Sequence, residues 1–287
     1  MAPPIQQLID LLGLEEIEKN HYRANSPSEG WQRVYGGQVL GQALVAASRT
    51  VEPDRHAHSL HGYFLRPGDM QVPILYKVDR IRDGRSFTTR RVVAIQHGKA
   101  IFSMSISFQV VEEGLSHQFD MPDVPAPEEV RDEQDIRAEQ MAKHPELFAG
   151  HTQTMRPIEF RPIDPVDMIR PVARLPQQMA WMRTRGRLPD DLRLHQSVLA
   201  YLSDWSLLDT ATLPHAISYL QSNVQMASID HAMWFHRPFR SDEWLLYVQD
   251  SPSASGARGF NRGLIYSQDG ALVASATQEG LMRLRAK

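Results

Sequence analysis

The chain has no cysteine among its 287 residues. Disulfides, a thiol nucleophile and thiolate metal sites are therefore excluded. It also lacks charge of one dominant sign: 31 Lys and Arg stand against 34 Asp and Glu, for a net charge of −3. That balance offers none of the basic footprint that nucleic-acid binding needs, so no nucleic-acid partner is expected. No apolar run approaches the roughly 20 residues of a membrane helix, so no membrane span is expected either. Walker A, G-x-G-x-x-G and H-E-x-x-H patterns are absent, as is the G-x-S-x-G of a strained nucleophile elbow. The opening "MAPPIQQLIDLLGLEEIEKN" has no basic start and no small-residue cleavage site, so it reads as an amphipathic segment and not as a signal peptide.

What is present describes a globular protein with a real core: 42% hydrophobic and 23% charged residues. The length suits two packed halves. Between them lies an acidic, proline-rich stretch, "MPDVPAPEEVRDEQDIRAEQMAKHPELF". It reads as a long connection carrying a short helix. The expected boundaries are 1–115 for the first half, 116–165 for the connection and 166–287 for the second half.

Landmarks recur in order across the halves. Arg66-Pro67 and Arg237-Pro238 stand 171 residues apart, Arg85 and Arg258 stand 173 apart, and Gly98 and Gly270 stand 172 apart. A near-constant offset predicts an internal duplication. In the first half "FTTRRVVAIQ", "HGKA" and "IFSMSISFQV" read as strand, turn and strand; "GFNRGLIYSQDGALVASATQEG" repeats that plan with a turn at Asp269-Gly270. One apolar helix precedes each strand group: "GGQVLGQALVAASRTV" and "LHQSVLAYLSDWSLL". One helix followed by antiparallel strands, twice over, is an α+β architecture. Each helix is apolar on more than one face, so sheet should wrap it. Gly36, Gly37 and Gly41 would let the first helix lie close against a sheet or a ligand.

The stretch "SIDHAMWFHRPF" packs Ser228, Asp230 and His231 into four positions. On a regular strand Ser228 and Asp230 share a face and His231 points away. A local Ser-His-Asp triad is therefore not expected. His56, His58 and His61 in "HAHSLH" look like a metal cluster, but no carboxylate at ligand spacing supports one, and satisfied or exposed histidines are the better reading. Three polar residues of the second half stand out. Asp204 interrupts an apolar run, where a buried carboxylate needs partners. Gln278 occupies the position that Ile106 takes in the first half, at an offset of 172. Ser228 precedes the second Arg-Pro element on its strand. Each alone reads as structural; together they form a polar site present in one half.

These blocks carry a resemblance. "YLSDWSLL", "SIDHAMWFHRPFRSDEWLLY", "SASGARGFNRG" and "QDGALVASATQEG", with "RVYGGQVLGQAL" and "HSLHGYFLRPGD" ahead of them, resemble the acyl-CoA thioesterase II family, over nearly the whole chain. The resemblance implies a double hotdog: two long helices, each wrapped by a curved antiparallel sheet. It implies hydrolysis of acyl-CoA to free fatty acid and CoA, without metal or organic cofactor. The family's Asp, Thr or Ser, and Gln map onto Asp204, Ser228 and Gln278. The bacterial members carry Thr where this chain has Ser228, which keeps the hydroxyl and loses a methyl. Asp204 would act as general base on a water that Ser228 and Gln278 orient. Ser228 as a covalent nucleophile and His58 as the base are the rival mechanisms. Arg85, Arg258 and Arg262, near turns, are candidate cations for the CoA phosphates. The family implies a homodimer or homotetramer. The C-terminal "LRAK" is no S-K-L type address, so a cytoplasmic location is expected. The competing functions for such a fold are a non-hydrolytic acyl-CoA-binding protein and a hydroxyacyl dehydratase.

Overall fold

A computed structural model of the chain describes residues 3–25, 33–148 and 156–285. The first half contains helix α1 (Pro4–Leu12), strands β1 (Glu15–Glu18) and β2 (His21–Ala24), and helix α2 (Gly36–Ser48). Four long strands follow: β3 (Arg55–Phe64), β4 (Ile74–Asp83), β5 (Phe87–Gln96) and β6 (Lys99–Val110). The connection carries α3 (Glu133–Lys143); residues 149–155 lie outside the described residues. The second half contains β7 (Ile158–Pro162), β8 (Gln177–Thr184), α4 (Leu192–Ser203), β9 (Val224–Ser228), β10 (Asp230–Phe235), β11 (Leu245–Ser255), β12 (Arg258–Ser267) and β13 (Leu272–Leu284).

The strands join into one antiparallel sheet in the order β1-β2-β4-β5-β6-β3-β10-β13-β12-β11-β8-β7, with β9 also on β13. The two halves meet where β3 pairs with β10, from Ser59↔Trp234 to Tyr63↔Asp230. Strands alternate buried and exposed positions, so each half-sheet has one face for its helix. The expected hairpins form. His97 and Gly98 both take positive φ, 49° and 70°, at the β5–β6 turn, the geometry of a two-residue turn that matches strand twist.

The duplication is structural as well as textual. Arg66 donates to the Ala100 carbonyl, and Arg237 donates to the Leu272 carbonyl, its counterpart 172 residues on. Each Arg-Pro landmark thus ties the end of one strand, β3 or β10, to the start of its paired neighbour, β6 or β13.

α2 and α4 pack directly on each other, and this explains the glycines. An added Cβ at Gly37 would stand 2.3 Å from the Tyr201 carbonyl oxygen, and one at Gly41 would stand 2.9 Å from the Ser197 carbonyl oxygen. The close neighbour is the other helix, and not chiefly sheet or ligand as the sequence had suggested. One core of buried side chains runs through both halves, from Leu8 and Leu40 to Val198 and Ala276.

The connection is applied to the outside of the second half-sheet. Met121, Val124, Val130 and Ile163 pack on Trp181, Trp244, Leu246 and Tyr266. Trp181 donates its indole N–H to the Pro125 carbonyl at 2.9 Å, as a buried tryptophan requires. Ile158–Pro162, which the sequence placed within the connection, is strand β7 on β8. Among the described residues, no helix is long and apolar enough to cross a membrane.

Candidate active site

Helix α4 stops at Asp204, its C-cap, and Ser206 follows in the left-handed region at φ 67°. The last carbonyls of a helix have no partner within it. Here side chains supply three of them. Ser203 Oγ donates to the Ala200 carbonyl, Tyr35 Oη to the Tyr201 carbonyl and Tyr247 Oη to the Ser203 carbonyl, at 2.9, 3.0 and 2.9 Å. The backbone around Asp204 is therefore held from several elements, one of them the loop before α2. Burial and the nearby Asp204 push the Tyr35 and Tyr247 phenols well above their usual range, so both remain neutral donors.

The structure brings the three second-half residues together. Gln278 Nε2 donates to Asp204 Oδ1 at 2.6 Å, and Ser228 Oγ donates to the same oxygen at 3.3 Å. Both donors engage Oδ1. The other oxygen, Oδ2, faces the start of α2, where a Cβ on Gly36 would come within 2.7 Å of it. The carboxylate thus sits between the C-terminus of one helix and the N-terminus of the other, and the latter end carries the favourable positive dipole.

Ser228 and His231 do not take the opposite faces that regular alternation predicted. Ser228 is level with Gly280, but Ala232 is level with Thr277, so β9–β10 holds one residue more than β13 over this span. This bulge turns Ser228 and His231 to the same interior face. Asp230 points elsewhere and accepts from the Glu279 backbone N–H at 2.7 Å. The three polar residues of "SIDH" thus serve different partners, and no local triad forms.

His231 is the residue that the sequence reading missed. It is 0% exposed. Its Nε2 lies 2.9 Å from Ser203 Oγ, and its Nδ1 lies 3.2 Å from Gln278 Nε2. The signal was available: the Arg-Pro offset of 171 pairs His231 with Leu60, as the offset of 172 pairs Gln278 with Ile106. In the first half Leu60 and Ile106 are cross-strand neighbours in the apolar core. Both partners change together in the second half.

The other candidates lie elsewhere. His58 bonds Ser107 Oγ at 2.8 Å and packs edge-on against Phe87. His61 packs edge-on against Trp234. Among the described residues no group of three or more His, Asp or Glu is arranged to hold a metal. Arg258 pairs with Glu279 and Arg262 pairs in bidentate fashion with Asp250, while Arg85 is exposed at the β4–β5 turn. The three arginines are not gathered around Asp204; Arg85 belongs to the opposite half.

Two packed helices, each wrapped by half of one curved antiparallel sheet, with a hydrogen-bonded carboxylate where the helices meet, define a double-hotdog protein. The comparisons narrow the class. Residues 158–281 match the family described as acyl-CoA thioesterase, and residues 26–109 match the acyl-CoA thioesterase N-terminal domain. The chain is 44% identical to mouse acyl-coenzyme A thioesterase 8 over 96% of its own length and 88% of that protein's. It is 41% identical to acyl-CoA thioesterase 2 of Haemophilus influenzae, covering 99% of each. The crystal structure of the acyl-CoA thioesterase II TesB2 from Mycobacterium marinum superposes with a TM-score of 0.79 at 44% identity, covering 96% of this chain and 98% of that one. The chain belongs to the acyl-CoA thioesterase family.

Proposed function

We propose that this thioester hydrolase cleaves acyl-CoA to free fatty acid and CoA by a water that Asp204 activates, with Ser228 and Gln278 orienting it. The observation that carries the reading is the convergence of two donors on Asp204 Oδ1 while Oδ2 faces the N-terminus of α2. With Oδ1 engaged, Oδ2 is the oxygen that accepts the proton as water attacks the thioester carbonyl. In the first turn of α2 the Gln38 and Val39 amides donate to the Tyr35 carbonyl, so this reading assigns the Gly36 and Gly37 amides to the oxyanion of the tetrahedral intermediate. Collapse breaks the C–S bond, and Asp204 returns the proton to the departing CoA thiolate. No side chain is acylated in this scheme, and Ser228 acts as a hydrogen-bond donor only.

Arg85, Arg258 and Arg262 are assigned to the CoA phosphates. Arg258 and Arg262 flank Asn261, which stands level with Gln278 on the neighbouring strand, so these two lie on the half that carries the site. Their carboxylate partners Glu279 and Asp250 would give way to phosphate. A cytoplasmic homodimer or homotetramer is part of the same proposal.

The test is thiol release from a short-to-long series of acyl-CoAs, with Asp204→Asn beside the unaltered protein. Loss of a positioned general base costs ~100- to 10,000-fold in rate. A drop of that size is expected across the series. Unchanged hydrolysis in Asp204→Asn would refute its role, and a burst of thiol ahead of steady turnover would point to an acyl-enzyme on Ser228.

A further inference from the structure

We propose that His231 is a positioning residue for this reaction: its Nδ1, as an acceptor, holds the Gln278 amide in the orientation that donates to Asp204. The inference deepens the proposed reaction and rests on it.

The chain of hydrogen bonds has one direction. Ser203 Oγ donates to the Ala200 carbonyl. Its hydroxyl proton is thereby committed, so at 2.9 Å it can only accept from His231. His231 therefore carries its proton on Nε2, and Nδ1 is bare. A bare Nδ1 at 3.2 Å from Gln278 Nε2 accepts an amide N–H. The other N–H of the same amide goes to Asp204 Oδ1 at 2.6 Å.

The amide has nothing else to orient it. Gln278 Oε1 is buried and has no hydrogen-bond partner among the described residues. All the orientation comes from the NH₂ end, with Asp204 on one side and His231 on the other. Turning the amide over would set its oxygen against both the Nδ1 lone pair and the Asp204 carboxylate. Two repulsions would replace two hydrogen bonds.

Burial keeps the His231 pKa below its usual value, against the opposing pull of Asp204, so the neutral ring persists. The first half supplies the comparison. There the matching positions are Leu60 and Ile106, which fill the same space with no polar atom. A buried histidine is not needed to close this part of the fold. It accompanies Gln278, and Gln278 accompanies Asp204.

Two measurements test this. The first is ¹⁵N NMR of histidine-labelled unaltered protein at neutral pH. The expected result is a neutral His231 with Nε2 protonated and Nδ1 bare. An Nδ1–H tautomer, or an imidazolium, would overturn the proposal. This readout does not depend on turnover, so it stands even if the chain releases no thiol from acyl-CoA, a result that would sink the proposed reaction separately. The second measurement is kinetic. His231→Leu, which copies the first half, is expected to lower kcat ~100-fold with little change in KM, because a mispositioned base acts on the chemical step. His231→Asn, which keeps an acceptor near the Nδ1 position, is expected to recover much of that loss. A folded His231→Leu with unaltered kcat, or an Asn variant no better than the Leu variant, would refute the positioning role. Should His231→Leu fail to fold, the tautomer decides the matter.

Discussion

Asp209 stands just beyond Asp204 and shows what burying a carboxyl group in this region does. Desolvation, followed by the nearby Glu133 and Asp204, pushes its pKa from 3.8 to about 7. In the unfolded chain it returns to the ordinary value. Between about pH 4 and pH 7 the folded protein therefore holds a proton that the unfolded chain has released, and stability falls as pH rises through that window. Asp209→Asn removes this penalty. The variant should melt higher than the unaltered protein at pH 8, by a margin that shrinks as the pH is lowered toward 5. Thermal melts across that range check it, and a margin independent of pH would show that the carboxyl is not the cause.

At the scale of elements, the site is made by two helix ends and one bulge. The N-terminus of α2 reaches the C-terminus of α4 because Gly36, Gly37 and Gly41 present no Cβ. Two of these glycines make different predictions. A Cβ at Gly37 meets the Tyr201 carbonyl oxygen at 2.3 Å, which is backbone and cannot turn aside. Gly37→Ala should therefore cost about 1–3 kcal/mol of stability by overpacking, read from urea denaturation. A Cβ at Gly36 meets the Asp204 carboxylate at 2.7 Å and the Phe64 ring at 3.0 Å, both side chains. Gly36→Ala should lose mainly kcat, ~100-fold by displacing the Asp204 carboxylate proposed as base, with a smaller change in stability. Equal stability losses with intact kcat in Gly36→Ala would separate this glycine from the site. The bulge between Ser228 and Ala232 does comparable work, since a regular strand would turn either Ser228 or His231 out of the interior.

The whole molecule is a duplication in which one copy holds the hydrogen-bonded polar cluster. Ala57, Leu60 and Ile106 pack in the first half, and Ser228, His231 and Gln278 take the corresponding positions in the second. The helix C-caps differ in the same way, Arg49 in one half and Asp204 in the other. The halves are nonetheless one folding body. β3 pairs with β10 through the centre of the sheet, α2 lies on α4, and a single core crosses between them. Unfolding is therefore expected as one cooperative transition. Four of the five tryptophans belong to the second half, so their fluorescence reports on it, whereas far-UV circular dichroism reports on both. The two denaturation curves should coincide. A first half that melts earlier would pull them apart.

The sequence by itself determined the two helices, the hairpins and the duplication. These follow from local signals: apolar runs of helical length, alternation, turn residues such as His97-Gly98, and landmarks at constant spacing. It also exposed Asp204 and Gln278, because each is a polar residue in an apolar pattern. Tertiary structure alone decided where they are held and what they touch. That α4 ends at Asp204, that α2 meets it there, and that the connection covers the outer face of the second half-sheet depend on partners far along the chain. His231 belongs to the same group. Alternation assigned it the wrong face, because a bulge is a property of two paired strands and cannot be read from one.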